Sequence, residues 1–182
     1  MIKFLYYYIF LILMLIVSCS QPDKKQDAED FNKKQLKQHL ERANKYLVKA
    51  EEQNIRDYIT RYNYDMNETG SGLFYQIYKS SDGEQADKGK IAQLNFTVSL
   101  LNGKKVYSSD KEGIKEFLIG KGGVESGLEE GILLMKTGEK ARFIIPSHLA
   151  YGLLGDLDKI PEKATIIYDV ELVKLLNDRK KD

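Results

Sequence analysis

The hydrophobic pattern along the chain changes character twice. After Met1-Ile2-Lys3, residues Phe4 to Val17 form an unbroken apolar run. It is shorter than the roughly 20 residues of a membrane span and suits the apolar stretch of a signal peptide. Ser20 to Glu29 (SQPDKKQDAE) is polar and has no apolar period, which predicts a flexible tether. From Asp30 to Tyr62, apolar residues recur at three- and four-residue steps: Phe31, Leu36, Leu40, Ala43, Leu47, Ala50, Ile55, Ile59 and Tyr62. No Gly or Pro interrupts them, so the spacing predicts an amphipathic helix of about eight turns with Asp30 as N-cap. The polar segment Asn63 to Ser71, with Asn67 and Gly70 as breakers, ends it. A stripe of this length needs a partner. It either packs on the C-terminal domain as an arm or forms a dimer seam.

From Gly72 onward the period becomes two. Leu73, Tyr75 and Ile77 alternate; Ala92, Leu94, Phe96 and Val98 share one face against Gln93, Asn95, Thr97 and Ser99 on the other. Asn102-Gly103 is a tight-turn signal, and Ala141, Phe143 and Ile145 alternate, as do Ala164, Ile166, Tyr168, Val170 and Leu172. Only Val124 to Met135 has a helical step, through Val124, Leu128, Ile132 and Met135. Alternation of this kind predicts antiparallel strands with one wet face, and the single helix fills the covered face. The fold class is α+β: a curved antiparallel β-sheet wrapped around one short helix, preceded by a long N-terminal α-helix.

Composition narrows the chemistry. Lys plus Arg number 28 against 27 acidic residues, so no strong field points to nucleic acid. The single cysteine excludes a disulfide framework and a Cys-based zinc site. His39 and His148 lie far apart, and no metal or cofactor is expected. No Ser/His/Asp set or carboxylate pair emerges, and Gly120-Lys121-Gly122-Gly123 lacks the Ser/Thr a phosphate loop needs and reads as a turn. Glu129-Glu130 reads as a capping or solvated pair near a helix start. A site without a nucleophile suits few reactions.

The only cysteine has a context of its own. Ile16-Val17-Ser18-Cys19 resembles the bacterial lipobox, in which the cysteine is acylated and becomes the mature N-terminus. The alternative is an uncleaved short anchor or a free thiol. Several acyl chains would hold the protein at a membrane surface without spanning it. Ser20, where Asp would signal retention at the inner membrane, points to the outer one in a host with two, facing the periplasm.

The C-terminal part carries an ordered set of motifs. These are Asn102 to Ser109 (NGKKVYSS), Phe117 to Lys121 (FLIGK), Gly127 to Gly131 (GLEEG), Met135 to Glu139 (MKTGE), Ile145 to Gly152 (IPSHLAYG), Ile160-Pro161, and Ala164 to Leu172 (ATIIYDVEL). In this order, over residues 72 to 176, they resemble the FKBP-type prolyl isomerase domain. The lipobox, the long helix and Tyr107 further resemble the lipoprotein isomerases associated with bacterial gliding motility. The resulting organisation is a signal peptide (1–18), a tether (19–29), a helical arm (30–66), the isomerase domain (72–176) and a charged tail (177–182).

The resemblance implies rotation about X-Pro bonds in proline-containing polypeptides. It assigns catalysis to Tyr151, Phe117 and Glu125, with the Tyr151 hydroxyl and the Glu125 backbone N–H as donors to the peptide. The substrate walls it implies are Phe96, Val106, Tyr107, Val124, Leu128, Ile160 and Tyr168. Position 125 usually holds Ile in the family, and the Glu side chain is expected to face solvent at the rim or to tune which peptides enter. Leu128 replaces a common Trp floor. Phe96 and Tyr107 replace a Tyr and Asp pair, and whether Tyr107 points inward as a replacement hydroxyl is open. The changed positions leave a second function in play, a peptide-binding chaperone or assembly module with little turnover.

Overall fold

Helix α1 runs Lys24–Tyr62, so it begins within the segment whose polar pattern predicts a tether. The computed structural model describes residues 24–177; Cys19, the apolar run before it and the tail from residue 178 lie outside the described residues. Asn63 ends α1 in the left-handed conformation (φ 52°). The Tyr64 N–H reaches the Ile59 carbonyl at 3.1 Å and the Asn63 N–H that of Thr60 at 3.2 Å. These two bonds are the Schellman closure, which Asn tolerates because its short polar side chain accepts left-handed backbone.

The described chain forms two compact units, one ending at Tyr46 and one beginning at Leu47. In the first, Leu36 and Leu40 are 59% and 61% exposed. The second holds a seven-stranded antiparallel sheet: β1 (Asn67–Glu68), β2 (Phe74–Lys79), β3 (Lys90–Leu100), β4 (Lys105–Ser108), β5 (Lys115–Leu118), β6 (Lys140–Ile145) and β7 (Ile166–Asn177). Their order is β1-β2-β6-β7-β3-β4, with β5 also on β3. One edge of β3 pairs with β7 from Lys90 to Leu100, while the other is shared. There β5 takes Ile91 to Leu94 and β4 takes Thr97 to Ser99. Ser109, which opens the short helix α2 (Ser109–Glu112), fills the gap. Its hydroxyl accepts the Phe96 N–H at 3.2 Å and donates to the Phe96 carbonyl at 3.3 Å. The backbone groups between the two partner strands are thereby satisfied.

Helix α3 (Ser126–Leu133) lies in the concave face. Leu128, Ile132 and Met135 pack against Ala92, Leu94, Phe96 and Val98 of β3, Ala141, Phe143 and Ile145 of β6, and Ile166, Tyr168, Val170 and Leu172 of β7, all buried. The alternation read from sequence supplies this face, position by position. Contact is close because Gly127 and Gly131 face β6. A Cβ on Gly127 would stand 2.4 Å from Ile145 Cγ2, and one on Gly131 2.8 Å from Phe143 Cε2.

The opposite face is not uniformly wet, which corrects the one-wet-face expectation. Ile55 of α1, Phe74, Ile144 and Ile167 form a second buried cluster, with Tyr58, Ile59, Met66 and Leu101 packed on it. The end of α1 therefore covers part of the convex face, because β2, β6 and β7 each place an apolar residue there. The two-residue β1 arises in the segment whose polar pattern predicts a breaker, where it pairs with β2 through Asn67 and Tyr75.

Replacing Gly131 with Ala tests the close approach. Helix propensity favours Ala by up to about 1 kcal/mol. Overpacking against the buried Phe143 ring costs roughly 1–3 kcal/mol. A net loss of about 1 kcal/mol or more in urea unfolding is expected; a gain would show that α3 stands off from β6.

Candidate active site

Seven segments deliver the residues that the motifs single out: β3 supplies Phe96, β4 supplies Val106 and Tyr107, and β5 supplies Phe117. The turn into α3 carries Val124 and Glu125, α3 itself Leu128, the 147–160 connection Tyr151 and Ile160, and β7 Tyr168. Phe96, Val106, Phe117, Leu128, Ile160 and Tyr168 are buried members of one apolar cluster, and Tyr107, Val124 and Tyr151 pack half-buried against it. Glu125 joins by hydrogen bonds. The structure thus brings all the sequence-selected pocket residues together. The Phe96 and Tyr168 rings lie 6.1 Å apart and tilted, and the Lys115 ammonium sits 5.2 Å and 5.8 Å from their centroids.

Tyr151 is placed by a carboxylate from the far end of the sequence. It follows a 3₁₀ turn, Ser147–Leu149, and Glu51 of α1 fixes that turn. Glu51 accepts the Ser147 N–H at 2.7 Å, the Ser147 hydroxyl at 2.9 Å and the Thr165 hydroxyl at 2.7 Å. The Gly152 N–H then returns to the Ser147 carbonyl at 2.7 Å, fixing the chain on either side of Tyr151. No motif in the sequence singles out Glu51. Its signal is a charged residue one turn from both Leu47 and Ile55, on the apolar stripe itself.

Glu125 departs from expectation. Its side chain is only 8% exposed and points inward, not to solvent at the rim. Oε1 accepts the Tyr151 hydroxyl at 2.5 Å and the Tyr168 hydroxyl at 2.9 Å. Oε2 is buried without a partner. The inward position has a physical cause. Two phenols need acceptors in an apolar setting, and a carboxylate gives both charge-assisted bonds. The Tyr151 hydroxyl, expected as a donor to the peptide, is therefore engaged by the protein. Burial and the bond to Glu125 push the Tyr151 phenol up, and burial with the Glu125 charge pushes Tyr168 up further.

Tyr107 does not supply a replacement hydroxyl to the pocket. It donates to Asp156 Oδ2 and also approaches Asp158 at 3.4 Å. Asp156 Oδ1 accepts the N–H groups of Asp158 (3.0 Å), Lys159 (3.0 Å) and Ile160 (2.7 Å). The Lys159 ammonium lies 4.3 Å over the Tyr107 ring. The bond to Asp156, then burial, pushes the Tyr107 phenol up. Burial opposes charge on Asp156, yet the Tyr107 hydroxyl and the backbone N–H groups together hold its carboxyl below the ordinary range. Asp156 was also missed. A Gly-Asp-Leu-Asp stretch between apolar segments is the loop signal that could have found it.

The phenols give this network a pH signature. Tyr107, Tyr151 and Tyr168 are raised above the ordinary phenol value, and Tyr58 is pushed up to about 12, chiefly by burial. Folding favours their neutral forms, so their contribution to stability is intact below a pH of about 10 and is lost as pH rises above it. In an alkaline absorbance titration these phenols should ionise only with unfolding. Ionisation of all twelve tyrosines near pH 10, with folded circular dichroism retained, would refute the network.

The model of the FKBP-type peptidyl-prolyl cis-trans isomerase family matches residues 82–173. The chain is 39% identical over 107 residues to a Neisseria meningitidis protein named probable FKBP-type peptidyl-prolyl cis-trans isomerase FkpA, covering 59% of this chain and 39% of that protein. It is 45% identical over 86 residues to FK506-binding protein 2 of Dictyostelium discoideum, covering 47% of this chain and 65% of the relative. The chain thus spans less than two thirds of each. Among solved structures, FkpA from Escherichia coli matches with TM-score 0.62 at 25% identity, over 87% of this chain and 75% of that one. AtFKBP13 matches with TM-score 0.57 at 31% identity, over 60% of this chain and 98% of that one. With half its length matched by the family model, the chain belongs to the FKBP-type peptidyl-prolyl cis-trans isomerase family.

Proposed function

We propose that the protein is a peptidyl-prolyl cis-trans isomerase for proline-containing polypeptides, held by a lipid on Cys19 at the periplasmic face of a bacterial outer membrane. The observation that carries the activity is the packing of half-buried Tyr151 against the apolar cluster that holds Phe117, Leu128, Ile160 and Tyr168. An X-Pro bond rotates slowly because amide resonance sets a barrier of about 18–20 kcal/mol. The twisted amide separates less charge than the planar one. An apolar wall that strips water from the imide carbonyl therefore favours the twisted form, without any covalent step. The Glu125 backbone N–H and the Tyr151 hydroxyl, once exchanged from Glu125, hold the peptide in that conformation.

Support for the location is the lipobox around the chain's single cysteine. An exported chain works without ATP, and bond rotation needs none. The resemblance to gliding-associated lipoproteins supports a client within a membrane apparatus.

A second reading is a peptide-binding chaperone with little turnover. It is favoured by the engaged Tyr151 hydroxyl. An exchange assay on a short X-Pro peptide separates the two. Wild type should accelerate interconversion, Phe117→Ala should lower kcat/KM by about tenfold or more, and Tyr151→Phe by a smaller factor, since its hydroxyl is already shared. No acceleration, with unfolded protein still bound, would assign the site to the chaperone.

The exposed α1 stripe through Leu36, Leu40 and Leu47 supports a homodimer seam along the N-terminal helix. Light scattering on the chain lacking residues 1–19 should give a dimer mass. A monomer at micromolar concentration would remove the seam.

A further inference from the structure

The Glu125 carboxylate carries an acceptor that the fold leaves unused. Oε1 serves both phenols, whereas Oε2 is buried with no partner. An unsatisfied buried oxygen costs stability, and its retention points to a water, an ion or a functional partner that completes it. No lysine, arginine or histidine pairs with Glu125 within 4 Å among the described residues. The nearby lysines are engaged elsewhere, Lys115 over the Phe96 and Tyr168 rings and Lys159 over the Tyr107 ring. Glu125, Asp156 and Glu112 push these two phenols up, while the Lys115 ammonium stands 5.8 Å from the Tyr168 ring centroid. The site thus has apolar walls and, at the Glu125 end, a carboxylate oxygen without a donor.

We propose that Glu125 is the specificity-determining residue of this site and selects polypeptides with a lysine or arginine side chain beside the proline, whose cation donates to Oε2. The inference rests on the isomerase reading for its turnover assay and on binding for its independent check. Tyr151 is half-buried and is the side chain that turns toward a client carbonyl. When it does, Oε1 keeps only the Tyr168 hydroxyl. A neutral client leaves the carboxylate poorer in donors, and an acidic client adds a second negative charge. A basic client supplies the missing donor in the same event, and a guanidinium fork suits a carboxylate in this setting better than an ammonium.

The test uses the full chain and four peptides that differ only beside proline: Arg-Pro, Pro-Arg, Leu-Pro and Glu-Pro. Exchange NMR gives kcat/KM, and calorimetry gives Kd. In wild type one arginine peptide should show about tenfold higher kcat/KM and tenfold lower Kd than Leu-Pro, with Glu-Pro the poorest, and the better arginine arm locates the cation before or after proline. In Glu125→Ile and Glu125→Gln the Arg to Leu ratio should fall toward one. If thermal melting shows Glu125→Ile unfolded, Glu125→Gln decides. A wild-type ratio near one, or a ratio unchanged in the folded variants, overturns the proposal. If wild type turns over no peptide the isomerase reading fails, and the Kd ratios alone then decide the role of Glu125.

Discussion

Everything polar in the pocket depends on how closely α3 approaches β6. Gly127 and Gly131 lie one turn apart, and a Cβ on either would collide with Ile145 or Phe143. The helix therefore rests on the sheet with no side chain between them at those two points. That contact fixes what the helix carries. Leu128 is pressed into the concave face, and Glu125, the N-cap, is delivered beside the hydroxyl of Tyr168 on β7. Strand β6 supports this from beneath because it pairs with β7 in register, Phe143 opposite Tyr168. A helix standing farther off would separate Glu125 from its phenols and leave three polar groups without partners.

Three carboxylates organise the rest, and they differ in one respect. Glu51 uses both oxygens, on the Ser147 N–H and on two hydroxyls. Asp156 uses both, on Tyr107 and on three backbone N–H groups. Each of these satisfies donors of an irregular segment that would otherwise be orphaned. Glu51 anchors the turn before Tyr151, and Asp156 shapes the loop that carries Ile160. Glu125 uses only one oxygen. The first two have complete structural roles. The third has capacity left over at the place where a client would bind.

Much of this was legible in the chain. The period-two pattern of Ala92 to Val98 and Ile166 to Leu172 reports local geometry, and so does the three- and four-residue step of Val124 to Met135, so both survived into the structure. The second cluster is legible as well, in a signal separate from the alternation. Phe143-Ile144-Ile145 and Ile166-Ile167 are consecutive apolar residues, which on a strand means that both faces are covered. What could not be read were pairings between distant positions. Tyr107 finds Asp156 and Tyr168 finds Glu125 only through the strand order, and no local pattern encodes which way Glu125 turns. A charged residue replacing an apolar one at a helix start reads as solvent-facing. Two phenols across the pocket reverse that.

The altered residues change how the site can gain from binding. Where a free hydroxyl meets a peptide carbonyl, the new bond replaces one to water. Here the Tyr151 hydroxyl leaves a charge-assisted bond to a buried carboxylate, which is stronger than a bond to water in a wet site. For a neutral client the exchange returns little. The pocket walls then supply most of the affinity, through the apolar area they cover. A client that brings its own donor to the carboxylate recovers the loss and frees the hydroxyl at the same time. On the proposed role of Glu125, discrimination would come less from the proline ring, which any X-Pro sequence offers, than from the group that stands next to it.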